Sequence, residues 1–92
     1  MKATLILKER MGLGEAFVEL VIWRLPRKLP GSAHRYKYRL ALVRQEVCVI
    51  RYDNEAGKGD HRHVGEQEEP CRFTDLDTLI CDFREAVKEY LT

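Results

Sequence analysis

Tyr36–Arg44 and Val47–Asp53, YKYRLALVR and VCVIRYD, are separated only by Gln45 and Glu46, and the reading of this stretch decides the fold. Two strand-like runs joined by two residues predict an antiparallel hairpin, although Gln and Glu lack the turn chemistry of Asn-Gly. With these two residues as the turn, Arg44 opposes Val47, Val43 opposes Cys48, Ala41 opposes Ile50, Arg39 opposes Tyr52 and Tyr38 opposes Asp53. Directly opposed residues share a face, so this register sorts Ala41, Val43, Cys48 and Ile50 onto one apolar side. Tyr38, Leu40, Leu42, Val49, Arg51 and Asp53 take the other, which becomes polar toward the open end of the hairpin.

Upstream, Ala3–Arg10 and Ala16–Leu25 are both rich in β-formers, and Gly12 and Gly14 between them supply a turn, so a second hairpin is expected. In its second strand Val18, Leu20 and Ile22 share one face and Phe17, Val21 and Trp23 the other, the pattern of a central strand covered on both sides. Pro26, Pro30 and Gly31 cannot continue a central strand, which makes Pro26–Gly31 a surface loop.

Downstream, Asp53–Pro70 shows no useful apolar period and contains Gly57, Gly59 and Gly65, so it reads as an eighteen-residue functional or mobile excursion. Cys71–Phe73 would add a short edge strand. Thr74 is the expected N-cap of a final helix, with Asp75 and Asp77 where a helix N-terminus favours negative charge. Leu76, Leu79, Ile80, Phe83, Val87 and Tyr90 recur at three- and four-residue steps, an amphipathic stripe that should lie on the apolar sheet face. The expected fold is α+β: a single antiparallel sheet of four to five strands with one C-terminal helix packed on one face.

At 92 residues the chain is expected to form one domain spanning 1–92, too small to enclose a large cofactor, so no cofactor is expected and any site should lie at an edge, a loop or an interface. The composition, 45% apolar and 34% charged, fits a packed domain rather than disorder. The run Phe17–Ile22, interrupted by Glu19, is far too short for a membrane span, and the start lacks a signal peptide's apolar region, so a soluble cytoplasmic protein is expected. Cys48, Cys71 and Cys81 form no C-x-x-C, which predicts reduced, mostly buried thiols rather than a disulfide framework or a thiolate zinc site. Apolar residues on both sheet faces leave room for a homodimer that hides the second face.

Net charge is +1, but residues 1–64 hold 13 Lys/Arg against 7 Asp/Glu and residues 65–92 hold 3 against 8. Such asymmetry speaks to partners, since a basic face attracts polyanions. Antiparallel geometry brings Trp23–Lys28, His34–Arg39 and Arg51–His63 to one end of the sheet. Between Arg24 and Arg39 there are six cations (Arg24, Arg27, Lys28, Arg35, Lys37, Arg39) and no acid, with Trp23, Tyr36 and Tyr38 interleaved. Cations for phosphates and aromatic faces for bases suit single-stranded nucleic acid; the same residues also fit a solvated face with edge packing.

The segment Tyr52–His63, YDNEAGKGDHRH, concentrates acids, bases and donors on a Gly-containing stretch. Cleavage of RNA by its own 2′-hydroxyl needs a base, an acid for the leaving oxygen and cations on the phosphate. His61 and His63 can serve the first two roles, since imidazole ordinarily titrates near neutrality, and Lys58, Arg51 or Arg39 the third. His-x-His with Asp53 or Asp60 could instead hold a divalent metal, or the stretch could be a structural loop network. Gly57-Lys58-Gly59 lacks the spacing of a P-loop.

Val21-Ile22-Trp23-Arg24, Pro30-Gly31-Ser32, Tyr36-Lys37-Tyr38-Arg39-Leu40, Arg51 to Glu55, Gly57 to His63, Phe73 and Asp82-Phe83 together resemble the TumE family of bacterial toxin–antitoxin modules over nearly the whole chain. Cys71 departs from it, standing where an aromatic is expected before the Arg-Phe pair. The resemblance implies a toxin with a cognate antitoxin, often a helix-turn-helix DNA-binding protein, and leaves the catalytic residues to the residues themselves. The expectation is a toxin acting on RNA as a small endoribonuclease. Its catalytic set is His61, His63, Asp53, Lys58 and Arg51, and its RNA contacts are Trp23, Arg24, Arg27, Lys28, Tyr36, Lys37 and Arg39, with no metal. The alternatives are a non-catalytic module that binds RNA or a translation component and is neutralised by its antitoxin, or a structural subunit whose histidines only tie down the loop.

Overall fold

The computed structural model describes residues 2–92. Strands β1 (Thr4–Leu13), β2 (Ala16–Arg24), β3 (Tyr36–Arg44), β4 (Val47–Glu55), β5 (Gly59–Val64) and β6 (Gln67–Pro70) precede helix α1 (Leu76–Leu91). The strands form one antiparallel sheet in chain order, and α1 packs on one face of it. The α+β fold with a single sheet and a C-terminal helix is as expected, with six strands in place of four or five. The difference lies in Asp53–Pro70, which is a hairpin rather than a loop: His61 pairs with Pro70 and His63 with Glu68 around a turn at Gly65-Glu66. Residues Cys71–Phe73, expected as an edge strand, are not strand; the edge is β6.

The β3–β4 register also departs from expectation. Arg44 opposes Val47 and Val43 opposes Cys48, but a bulge at Val49 then shifts the ladder, so that Leu42 opposes Ile50, Leu40 opposes Tyr52 and Arg39 opposes Asp53. One extra residue exchanges the faces of everything beyond it. Ile50 and Tyr52 thereby join Leu40 and Leu42 beneath the helix, and Arg51 and Asp53 join Lys37, Arg39 and Ala41 on the opposite, open face. The apolar patch of Ala41, Val43, Cys48 and Ile50 therefore does not exist as a unit.

The core lies between the sheet and α1. Val18, Leu20, Ile22, Tyr38, Leu40, Leu42, Ile50 and Tyr52 meet Leu79, Phe83 and Val87, with Leu76 and Ile80 partly buried beside them. Phe83 stands edge-on to Tyr52, ring centroids 5.6 Å apart. Tyr90, expected on this stripe, is exposed near the end of α1. The N-cap is Asp75 rather than Thr74: its backbone is extended and its carboxylate accepts from the Thr78 amide at 2.7 Å. That bond is made to the charged form, and it lowers the Asp75 pKa. Two of the three thiols, Cys48 and Cys81, are exposed, which corrects the expectation of buried cysteines. No helix among the described residues is long and apolar enough to cross a membrane.

Candidate functional site

Side chains alternate across a strand, so β3, β4 and β5 each place every second residue on the open face. The pairing then builds two rows across the sheet. One runs Val21, Arg39, Asp53, His61; the next runs Glu19, Ala41, Arg51, His63, Glu68. Neighbouring strands lie about 4.8 Å apart, which puts Arg39, Asp53 and His61 within about 10 Å of one another. Two adjoining hollows on this face are lined by Trp23, Lys37, Arg39, Arg51 and Asp53, and by Asp53, Lys58, His61, His63 and Glu68. The five expected catalytic residues thus converge on one surface.

Their contacts distinguish the two histidines. Arg51 Nη2 donates to His63 Nε2 at 2.9 Å. Because a guanidinium can only donate, this nitrogen is the acceptor and the ring proton sits on Nδ1. His61 Nε2 donates to the Lys58 carbonyl at 2.7 Å, which leaves Nδ1 as the basic nitrogen. That atom is enclosed, has no hydrogen-bond partner among the described residues, and lies 3.5 Å from Glu68 Oε1. Glu68 is also 3.6 Å from His63 Nε2, so one carboxylate stands between both rings. Arg51 Nε meets Asp53 Oδ2 at 3.1 Å as an ion pair. Glu68 is not among the expected residues, because Asp53–Pro70 has no apolar period and reads as a loop in the sequence. The signal present was Gly65-Glu66 as a two-residue turn between Val64 and Gln67.

The expected RNA-contact residues divide between the two faces. Trp23, 37% exposed, lies with Lys37 and Arg39 on the open face, and Arg27 and Lys28 are exposed on the β2–β3 loop. Arg24 and Tyr36 oppose each other on the helix side, where Tyr36 packs against the core and Phe73. Tyr36 and Trp23 therefore do not share a surface.

Behind the open face is a buried polar cluster. Asn54, 1% exposed, accepts from the Tyr38 amide at 3.0 Å and donates to the Tyr36 carbonyl at 2.6 Å, replacing ladder bonds where β3–β4 pairing ends. The Asn54 carbonyl receives the Lys37 ammonium. Asp60 accepts from the Tyr38 hydroxyl at 2.6 Å and from His34 Nε2 at 2.9 Å, while His34 Nδ1 accepts from the Tyr36 amide at 3.1 Å. His34 also stacks on Phe73 at 3.9 Å. Burial foremost, then the bond to Asp60, pushes the Tyr38 phenol far above its usual range, so it stays a donor. The β2–β3 loop meets the β4–β5 turn by backbone: the Gly57 amide donates to Pro30 O at 2.6 Å, and a Cβ on Gly31 would sit 3.1 Å from the Gly57 carbonyl carbon. With Gly31 at φ 82°, a side chain there would be strained as well as tightly packed, which favours glycine. Neither His34 nor Asn54 was assigned a role from the sequence.

Among the described residues no group of three or more His, Cys, Asp or Glu side chains is placed to hold a metal ion. Comparison with curated proteins and with solved structures finds no match. A family model described as Toxin TumE matches residues 2–91. The residues that carried the resemblance, from the Trp23-Arg24 strand end to the Gly57–His63 turn and strand, are those that meet at this end of the sheet. The chain belongs to the TumE toxin family, which makes it the toxin component of a toxin–antitoxin module, with a cognate antitoxin as its partner.

Proposed function

We propose that this toxin acts on RNA in the cytoplasm as a small, metal-independent endoribonuclease, with the open face of β3–β6 as its active surface, and that its cognate antitoxin is a helix-turn-helix DNA-binding protein that silences it. The observation that carries the reading is the unpartnered Nδ1 of His61, beside Glu68 and in one row with Arg39 and Asp53. When bound RNA displaces the half-exposed Glu68 side chain that stands at Nδ1, His61 takes the proton of a ribose 2′-hydroxyl, the 2′-oxygen attacks phosphorus, and the bond to the 5′-oxygen breaks. The products are a cyclic phosphate and a 5′-hydroxyl. Arg39, Arg51 and Lys58 bear the charge that develops on the phosphoryl oxygens. A phosphate that draws Arg51 to itself also releases His63 Nε2, and His63 as imidazolium then protonates the leaving oxygen. Trp23 stacks on a base while Lys37, Arg27 and Lys28 follow the strand; Arg24, on the helix side, does not reach it. A homodimer formed through this face would bury the rows, so the face is taken as free in the active toxin.

A second reading rests on the same contacts: Arg51 with Asp53 and His63, and His61 with Lys58, are already internally paired, as suits a surface that binds RNA or a translation component without cleaving it. Incubation of the pure protein with total RNA, with and without EDTA, separates the two. Discrete cleavage insensitive to EDTA is expected, falling about 100-fold or more in His61→Ala, the usual weight of a general base. Retention of RNA without cleavage selects the binding module. No retention, or affinity that does not weaken with salt, overturns both, since each phosphate contact should contribute about 0.7 to the slope of log K against log salt.

A further inference from the structure

The two edges of the sheet are built differently. β6 is four residues long, carries Glu68 and Glu69 and ends on Pro70, the usual means of closing an edge to further pairing. β1 is ten residues long, and beyond a bulge at Ile6 its run Leu7–Leu13 holds no proline and no further irregularity. Met11 is 47% exposed on it. Between β1 and α1 lies a groove of roughly 210 Å³, whose apolar lining includes Met11, Leu13, Leu20, Phe83 and Val87. Arg84 and Lys88 complete it together with Glu9, which Arg84 approaches to 3.9 Å.

Charge decides what can occupy this edge. Lys8 and Arg10 oppose Val21 and Glu19 and so stand on the open face, while Leu7, Glu9, Met11 and Leu13 stand on the helix face. In a two-fold pairing of two copies, directly opposed residues must share a face. A register centred on Glu9 sets Glu9 against itself and Lys8 against Arg10 of the second copy. Registers centred on Lys8 or Arg10 set those cations against themselves, and one centred on Leu7 must run through the bulge at Ile6. Like charges directly opposite are destabilising, and the register centred on Met11 avoids them only by pairing no more than Glu9–Leu13. A strand with acidic side chains opposite Lys8 and Arg10 meets no such conflict.

We propose that the free edge of β1 is the docking site of the cognate antitoxin, which adds a strand carrying acidic residues opposite Lys8 and Arg10 and apolar residues over Met11 and the groove behind it. Backbone pairing supplies affinity in such an arrangement, and the alternating side chains supply selectivity. The proposal rests on family membership and not on RNA chemistry, so its failure leaves the proposed function standing. The test is hydrogen exchange of the toxin alone and in complex with its cognate antitoxin, together with the affinity of a Lys8→Glu/Arg10→Glu variant. The outward-facing, alternate amides of Leu7–Leu13, those not bonded to β2, should slow at least about tenfold in the complex, the sign of newly formed hydrogen bonds. The double variant, folded by circular dichroism, should bind about 10- to 100-fold more weakly, and Met11→Lys should weaken binding through the groove. Protection confined to other elements, or unchanged affinity in both variants, overturns the proposal. So does sedimentation of the isolated chain as a dimer with β1 already protected, which would give the edge to a second copy.

Discussion

Replacing Asn54 by Ala tests how the site end of the sheet is held. The Asn54 amide satisfies two backbone groups that no strand partner reaches, the Tyr38 N–H at 3.0 Å and the Tyr36 carbonyl at 2.6 Å, with the side chain almost fully enclosed. Truncation leaves both unpaired, and each buried unpaired group costs about 1–3 kcal/mol. Entry of water at the end of the sheet recovers part of that, so the expected loss is about 2–4 kcal/mol, a large share of the roughly 5–15 kcal/mol that holds a small domain folded. Asn54→Asp should do no better, because it keeps the acceptor for Tyr38 but turns a carboxylate toward the Tyr36 carbonyl. Urea unfolding followed by circular dichroism gives the number, and hydrogen exchange gives the location: the Tyr38 amide should exchange faster in both variants. A loss below about 1 kcal/mol, with the Tyr38 amide unchanged, would show that the backbone at this junction is satisfied without Asn54.

Phe83→Ala should cost about 3–5 kcal/mol, since Phe83 is 1% exposed and packs on Tyr52; a shift well under 1 kcal/mol in chemical denaturation would remove it from the core. Gln45 and Glu46 both adopt positive φ, 51° and 66°, so Gln45→Asn with Glu46→Gly should stabilise the protein by about 1–2 kcal/mol, read as a higher urea midpoint at unchanged slope. Asp75 has its carboxyl pKa lowered from 3.8 by the Thr78 amide. Its contribution is therefore present above pH 3.8 and lost as pH falls through the lower folded value, so the stability gap between wild type and Asp75→Ala should close in acid. A gap that is constant down to pH 2 would mean that the cap does not act through its charge.

The first two hairpins and the helix were legible because half-buried strands alternate and a core-facing helix recurs at three and four, as Val18-Leu20-Ile22 and Leu79-Phe83-Val87 do. Two features were not. β5 and β6 carry charged or polar side chains on both faces, His61 and His63 on one and Asp60 and Arg62 on the other, so no apolar period marks them as strands. The bulge at Val49 was hidden for the opposite reason. Val47 to Ile50 offers apolar candidates to either face apart from the ambivalent Cys48, and only packing against α1 selects the register that buries both Ile50 and Tyr52. Candidate residues that lie within one sequence segment, Arg51 to His63, can be named together from it. His34 cannot, because its partner Asp60 is 26 residues away on a strand that had not been recognised.

These two blind spots bear on the same point. Without the bulge, Arg39 would oppose Tyr52, and Asp53, with the His61 that pairs with it, would stand on Tyr38's side of the sheet rather than beside Arg39. Without β5, His61 would have no fixed face at all. Alternation along β5 then divides the labour: Asp60 turns to the covered side, where His34 and Tyr38 hold it, and His61, one residue on, is thereby fixed toward the open side. An anchor and the proposed base that are adjacent in sequence point to opposite faces, so the polar cluster behind the sheet can be as rigid as a core while the row in front of it lies on the open face. The Gly57–Gly59 turn, seated on Gly31, closes the same hairpin and delivers the Lys58 carbonyl to His61 Nε2, which leaves Nδ1 facing Glu68. The chemistry available on the open face is therefore set by contacts made on the other side of the sheet and at its end.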